Sequence, residues 1–270
     1  MLFKEYNKHK KIVDYILISF GISWIFWIPL IWIKEVNLIF AILYALGGFG
    51  PMGAAYFLFD IEVKKKRLKY YLKSIFIFKA KFKDYVMAIL LPIIILGIAL
   101  LIRMLFFPTL PGEQRNFLTY PLLFLYMIIL GGGLEEPGWR GFMLKELLMK
   151  RGPLISSLIL GFVWVAWHSP LYFISTLSES QMPFLEFFIN GLFFTMVMTY
   201  VYFYSSRNIW LMILLHAGYN TMFNFYPTPF HHEQGFIPLL FATMIIGSLA
   251  CVILWMTHKK VKEEDSCMET

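Results

Sequence analysis

Long apolar runs separated by short polar stretches make up almost the whole chain. Crossing a bilayer takes about 20 mostly apolar residues, and eight runs qualify: 12–33, 38–59, 85–107, 118–142, 153–177, 184–204, 208–226 and 235–257. The pattern predicts an all-α, polytopic integral membrane protein of about eight transmembrane helices, forming a single transmembrane domain over 1–270. The fourth run carries Gly131, Gly132, Gly133, Pro137 and Gly138. These permit a kink or a break, which is tolerated where neighbouring helices or water satisfy the freed backbone groups. The first run follows a basic start, but it is too long for a signal peptide, lacks a small-residue cleavage site and is followed by further spans. It reads as a retained first helix.

The polar stretches orient these helices. With the N-terminus, the loops 60–84, 143–152 and 205–207, and the C-terminus placed in the cytoplasm, that side holds twenty of the twenty-four Lys and Arg residues. The opposite loops hold only Lys34 and Arg115. This positive-inside asymmetry predicts cytoplasmic N- and C-termini. It also accounts for the net charge of +7 as attraction to an anionic inner leaflet, and it speaks against nucleic acid as a partner, since the charge is spread over short loops. Lys64, Lys65, Lys66, Arg67, Lys69 and Lys73, interleaved with Leu68, Tyr70, Tyr71 and Leu72, read as an amphipathic juxtamembrane anchor on the lipid bilayer.

Composition agrees: 59% of residues are hydrophobic, 15% are charged and the mean hydropathy is +0.66, against about half apolar and a quarter charged in soluble domains. Two cysteines, Cys251 and Cys267, cannot build a disulfide framework or a Cys-rich zinc site. The terminal Cys267-Met268-Glu269-Thr270 has the outline of a prenylation box. Glu269 stands where an aliphatic residue belongs, so the outline reads as coincidence.

Against this background six polar residues stand out inside the apolar runs: Glu135, Glu136, Arg140, His168, His216 and Asn220. An ionisable side chain at the bilayer centre costs about 2.5–3.5 kcal/mol on insertion scales and is retained when paired or functional. Residues four apart share a helix face, so Glu136 can pair with Arg140, and His216 and Asn220 face one way. Glu135 is rotated by about 100° from Glu136 and points toward another helix. The two carboxylates therefore divide their work, Glu136 being structural and Glu135 chemical. Glu135 with His168 could activate a water for attack on an amide carbonyl. Alternatively Glu135, His168 and His216 could hold a zinc ion whose bound water attacks. Neither histidine belongs to a His-Glu-x-x-His motif, and both the zinc and the metal-free schemes stay open.

Each of these residues also has a plain role. A single His or Asn in a membrane helix serves as interhelical glue, and one Glu–Arg pair serves as a folding device. Three such clusters in one chain point to a functional site. His231 and His232, beside Pro229 and Glu233, read as a solvated outer loop. Trp139, Trp164 and Trp167 read as packing aromatics, or as the lining of an apolar groove. No Gly-x-Ser-x-Gly elbow is present.

The clusters Glu135-Glu136…Arg140, Trp164…His168 and His216…Asn220 resemble, in kind and order, the motifs Glu-Glu-x-x-x-Arg, Phe-x-x-x-His and His-x-x-x-Asn of the CPBP family of intramembrane proteases, the CAAX-processing and bacteriocin-processing group. The resemblance spans about 130–225, the family's core. It implies an intramembrane endopeptidase in the cell membrane, acting on membrane-associated or lipidated peptides and proteins. It implies that Glu135 and His168 activate water, that His216 and Asn220 stabilise the oxyanion, and that Glu136 and Arg140 organise the site. Trp164 replaces the family's phenylalanine. The competing readings are a catalytically silent membrane protein that binds a partner in immunity or regulation, and a transporter, for which inverted repeats are lacking.

Depth sets a test. At about 1.5 Å per residue, Glu135 lies about 26 Å from the outer face and His168 about 22 Å from the inner one, too far apart to meet. The two come together if the fifth helix begins in the cytoplasm or if the glycines shorten the fourth. A cavity opening toward the cytoplasm or the inner leaflet is expected.

Overall fold

A computed structural model describes residues 8–62, 73, 75–106, 117–177, 180, 183–225 and 237–268. The basic run Lys64–Lys69, Arg115, and His231 with His232 lie outside the described residues. Within them the protein is all-helical. Helices α1 (Lys8–Trp27), α2 (Leu38–Gly48), α3 (Gly50–Glu62) and α4 (Phe82–Phe106) are followed by the short α5 (Tyr120–Ile129). A broken stretch contains α6 (Glu136–Gly138) and α7 (Lys145–Leu148). Four longer helices complete the bundle: α8 (Pro153–Trp167), α9 (Phe184–Tyr204), α10 (Ile209–Phe225) and α11 (Ile237–Met268).

The chain is a multi-pass integral membrane protein, with fewer clean spans than the eight expected. Five helical stretches among the described residues are long and apolar enough to cross a bilayer: Lys10–Trp32, Phe82–Phe106, Pro153–Phe173, Phe184–Tyr204 and Ile237–Met256. A sixth arises if α2 and α3, bent by 42° at their junction, count as one. The run 118–142 is not a single helix, and α10 has only 17 residues. The outer face suits lipid. On α1, Leu17 and Ile25 are 64% and 70% exposed, whereas Tyr15 and Trp27 on the same helix are buried.

The bundle packs α9 against α8 and α11, α4 against α10 and α11, and α1 against α3. Small and hydroxylated residues bring α8 and α9 together: Thr199 Oγ1 hydrogen-bonds Ser157 Oγ at 3.1 Å, the kind of polar contact that substitutes for a hydrophobic drive between helices in lipid. Asn37 caps α2 by accepting from the Phe40 amide at 3.0 Å. At Gly138 a Cβ would come within 2.4 Å of the Pro51 carbonyl carbon and oxygen, so glycine is required where α6 meets α3.

Two contacts fix which helix ends lie together. Lys11 on α1 donates to Glu146 on α7 at 2.7 Å, both side chains buried. At the other end of α1, Trp24 Nε1 donates to the Trp167 carbonyl at 3.0 Å. The start of α1, the turn 149–152 before α8 and the turn 205–208 after α9 therefore share one end of the bundle. Asn208 Nδ2 ties that end to the Ile77 carbonyl at 2.9 Å. Lys79, Lys81, Lys150, Arg151 and Arg207 cluster there, in agreement with the sorting of basic residues read from the sequence.

Candidate active site

The sequence between α5 and α7 cannot continue as one helix. After Ile129 the chain turns through Gly131 and Gly132, the latter at φ +106°, a left-handed conformation that favours glycine. It then forms a 3₁₀ turn over Gly133–Glu135, the short α6 and a π-helical turn over Trp139–Leu144. Such π turns recur at functional sites because they re-aim side chains. The glycines thus break the fourth run. The backbone at Gly132 presses on α10: a Cβ there would lie 2.8 Å from His216 Nε2 and 2.8 Å from Asn220 Nδ2. Gly132→Ala is therefore expected to lower activity at least tenfold and to lower the thermal unfolding midpoint. A left-handed non-glycine residue costs about 1–2 kcal/mol, and the methyl must also displace the imidazole and the amide. Cleavage rate and a melting curve of purified protein check this.

Glu136 lies at the centre of one polar group and is fully buried. Its Oε1 accepts from Arg140 Nη1 at 2.8 Å, the i, i+4 pair expected from the sequence, and from His216 Nδ1 at 2.7 Å. A carboxylate only accepts, so the Nδ1 of His216 carries a proton. Its Nε2 is left for the space beside Gly132. Asn220, one turn on, donates from Nδ2 to the Gly131 carbonyl. It thereby satisfies a backbone group that the helix break sets free.

Glu135 lies at the centre of the second group and points toward another helix, as expected. Its Oε2 accepts from the indole N–H groups of Trp139 and Trp164, each at 3.1 Å. Trp164 also touches His168: its carbonyl accepts from His168 Nδ1 at 2.8 Å, and the two rings meet edge-on at 4.3 Å. A backbone carbonyl cannot donate, so the proton of a neutral His168 sits on Nδ1 and the lone pair on Nε2. Trp27, Trp167 and Phe187 complete an aromatic surround for this imidazole.

Glu135, His168, His216 and Asn220 all line one cavity of about 420 Å³. It reaches residues 36, 176 and 177 in the connections at the end of the bundle remote from the basic turns. The cavity and the basic turns thus lie toward opposite ends of the bundle.

Two features escaped the sequence. Of the three tryptophans read as packing aromatics, Trp139 and Trp164 are hydrogen-bond donors to Glu135, while Trp167 donates to Ser23; only the i, i+4 spacing of Glu135 and Trp139 carried a hint. On the cavity wall, Tyr219 Oη donates to Asn190 Oδ1 at 2.9 Å and meets Thr243 Oγ1 at 3.1 Å. Asn190, a lone amide in an otherwise apolar face of α9, was the available signal. Among the described residues no three His, Cys, Asp or Glu side chains are grouped to hold a metal ion.

Comparison with known proteins falls on this same region. The model of the family "Type II CAAX prenyl endopeptidase Rce1-like" matches residues 117–222. A curated relative, CAAX prenyl protease 2 of Methanococcus maripaludis, is 28% identical over 98 residues, which are 34% of this chain and 36% of the relative. The chain thus aligns with about a third of that relative's length.

Proposed function

We propose, for a chain whose residues 117–222 match the model of the Rce1-like CAAX prenyl endopeptidase family, that it is an intramembrane endopeptidase of the cell membrane, hydrolysing peptide bonds of membrane-associated or lipidated substrates. The observation that carries this reading is the convergence of Glu135, His168, His216 and Asn220 on one cavity. Water bound between the free Oε1 of Glu135 and the lone pair of His168 Nε2 loses a proton to this pair as its oxygen attacks the scissile carbonyl carbon. The carbonyl oxygen takes up negative charge opposite His216 Nε2 and the Asn220 amide. Collapse breaks the C–N bond, and the held proton passes to the leaving nitrogen. His216 donates from Nε2 only as an imidazolium, whose charge Glu136 balances at 2.7 Å. Glu135 and Glu136 then face Arg140 and His216, two charges of each sign. Glu136 and Arg140 work by holding His216 in place.

The test compares membrane-protein and peptide termini in cells carrying wild type, Glu135→Gln or His168→Ala, each accumulating equally in the membrane. Termini present in wild type and missing in both variants name the substrate. A chelator added to wild-type membranes is expected to leave those termini unchanged; their loss would return the zinc scheme. Identical termini in all three strains, with a deletion phenotype rescued by Glu135→Gln, would replace the enzyme by the partner-binding alternative.

A further inference from the structure

Trp164 stands where the family motif has phenylalanine, and its place in the structure gives the difference a meaning. We infer that Trp164 is a positioning residue: through its indole N–H and its carbonyl it sets Glu135 and His168 relative to each other. The inference rests on the hydrolytic reading of the site.

Three observations support it. First, Glu135 and His168 come from separate parts of the chain, a 3₁₀ turn and the C-terminal end of α8, and Trp164 bonds to both. Its Nε1 donates to Glu135 Oε2 at 3.1 Å, and its carbonyl accepts from His168 Nδ1 at 2.8 Å. Second, Trp139 donates to that same Oε2, also at 3.1 Å. With two donors on one oxygen, turning the carboxylate breaks both bonds, and the other oxygen is the one left to meet water. A phenylalanine at 164 keeps the carbonyl contact but has no donor, so it leaves the carboxylate tethered through Trp139 alone. Third, the indole packs against α9: it stacks with Phe187 at 5.7 Å, and Gly191, where a Cβ would stand 2.6 Å from Val165 Cγ2 and 3.0 Å from Trp164 Cζ3, lets that helix come this close.

Orientation of a base acts on the chemical step and not on substrate affinity. The experiment uses full-length protein in liposomes and a fluorogenic peptide ending in a farnesylated CAAX box as probe. It compares wild type, Trp164→Phe, and replacement of Trp164 by β-(3-benzothienyl)alanine, in which sulfur stands in for the N–H at nearly unchanged shape. Both replacements are expected to lower kcat at least tenfold with KM within twofold. The sulfur isostere separates a lost donor from lost packing: full activity in that protein overturns the inference, even if Trp164→Phe is inactive. An independent readout uses ¹⁵N-indole-labelled protein. The Trp164 N–H resonance, identified by its loss in Trp164→Phe, is expected to move upfield in Glu135→Ala. An unmoved resonance overturns the inference. A wild type that leaves the probe uncut, while the resonance moves as expected, counts against that substrate and supports the clamp.

Discussion

Glu135→Gln is expected to lower peptide cleavage about a thousandfold while leaving the amount of folded protein in the membrane unchanged. The second half of this expectation comes from the two indoles. The amide oxygen of glutamine can still accept both N–H groups that now reach Oε2, so the substitution keeps the local contacts and removes only the base. A positioned general base contributes about 10²–10⁴-fold. Glu135→Ala is a poorer probe, because it abandons two buried indole donors and mixes a folding defect into the rate. The measurement is turnover per mole of purified protein, with accumulation and thermal midpoint taken alongside. Retention of a tenth or more of wild-type turnover would remove Glu135 from the chemistry.

The second large effect is on folding. Glu136→Ala is expected to destabilise the protein by about 3–5 kcal/mol, the range for deleting one partner of a buried ion pair. Arg140 is 1% exposed and loses its carboxylate; His216 loses the acceptor for Nδ1. Adding Arg140→Met should restore most of the stability, since the cost lies in the stranded charge and not in the cavity left behind. The double variant should nevertheless remain inactive, because His216 is no longer oriented. Denaturant titrations of the two single variants and the double variant measure this. If the two single losses simply add up to that of the double variant, Glu136 and Arg140 do not act as a pair.

Much of the site was legible because its residues are costly where they stand. Glu135, Glu136, Arg140, His168, His216 and Asn220 could be picked out from an apolar background, and the period of a helix sufficed to tell that the two glutamates point to different partners. What could not be read depends on conformations that a residue name does not encode. Gly132 in an apolar run announces permission to break and not the break itself; its φ of +106° decides where Glu135 ends up. The bond between His216 and Glu136 spans 80 positions, and no local rule predicts it. An aromatic residue in a membrane segment reads as packing by default, so the donors on Trp139 and Trp164 were invisible. The break within the fourth run was hidden for a related reason. Hydropathy registers that 118–142 is apolar, but not that its backbone turns aside midway.

The crowd of indoles around the site also makes the protein its own optical instrument. Four of its eight tryptophans gather there: Trp27 and Trp167 have ring centres 4.4 Å apart, Trp139 and Trp167 5.5 Å, and Trp164 lies 4.3 Å from the His168 ring. Rings this close exchange excitation before they emit, so the light the protein gives off is weighted toward the surroundings of Glu135 and His168. Any molecule that enters the cavity alters the polarity around Trp27 and Trp164, which line it. Occupancy can therefore be followed by intrinsic emission, without a label and without waiting for a bond to break.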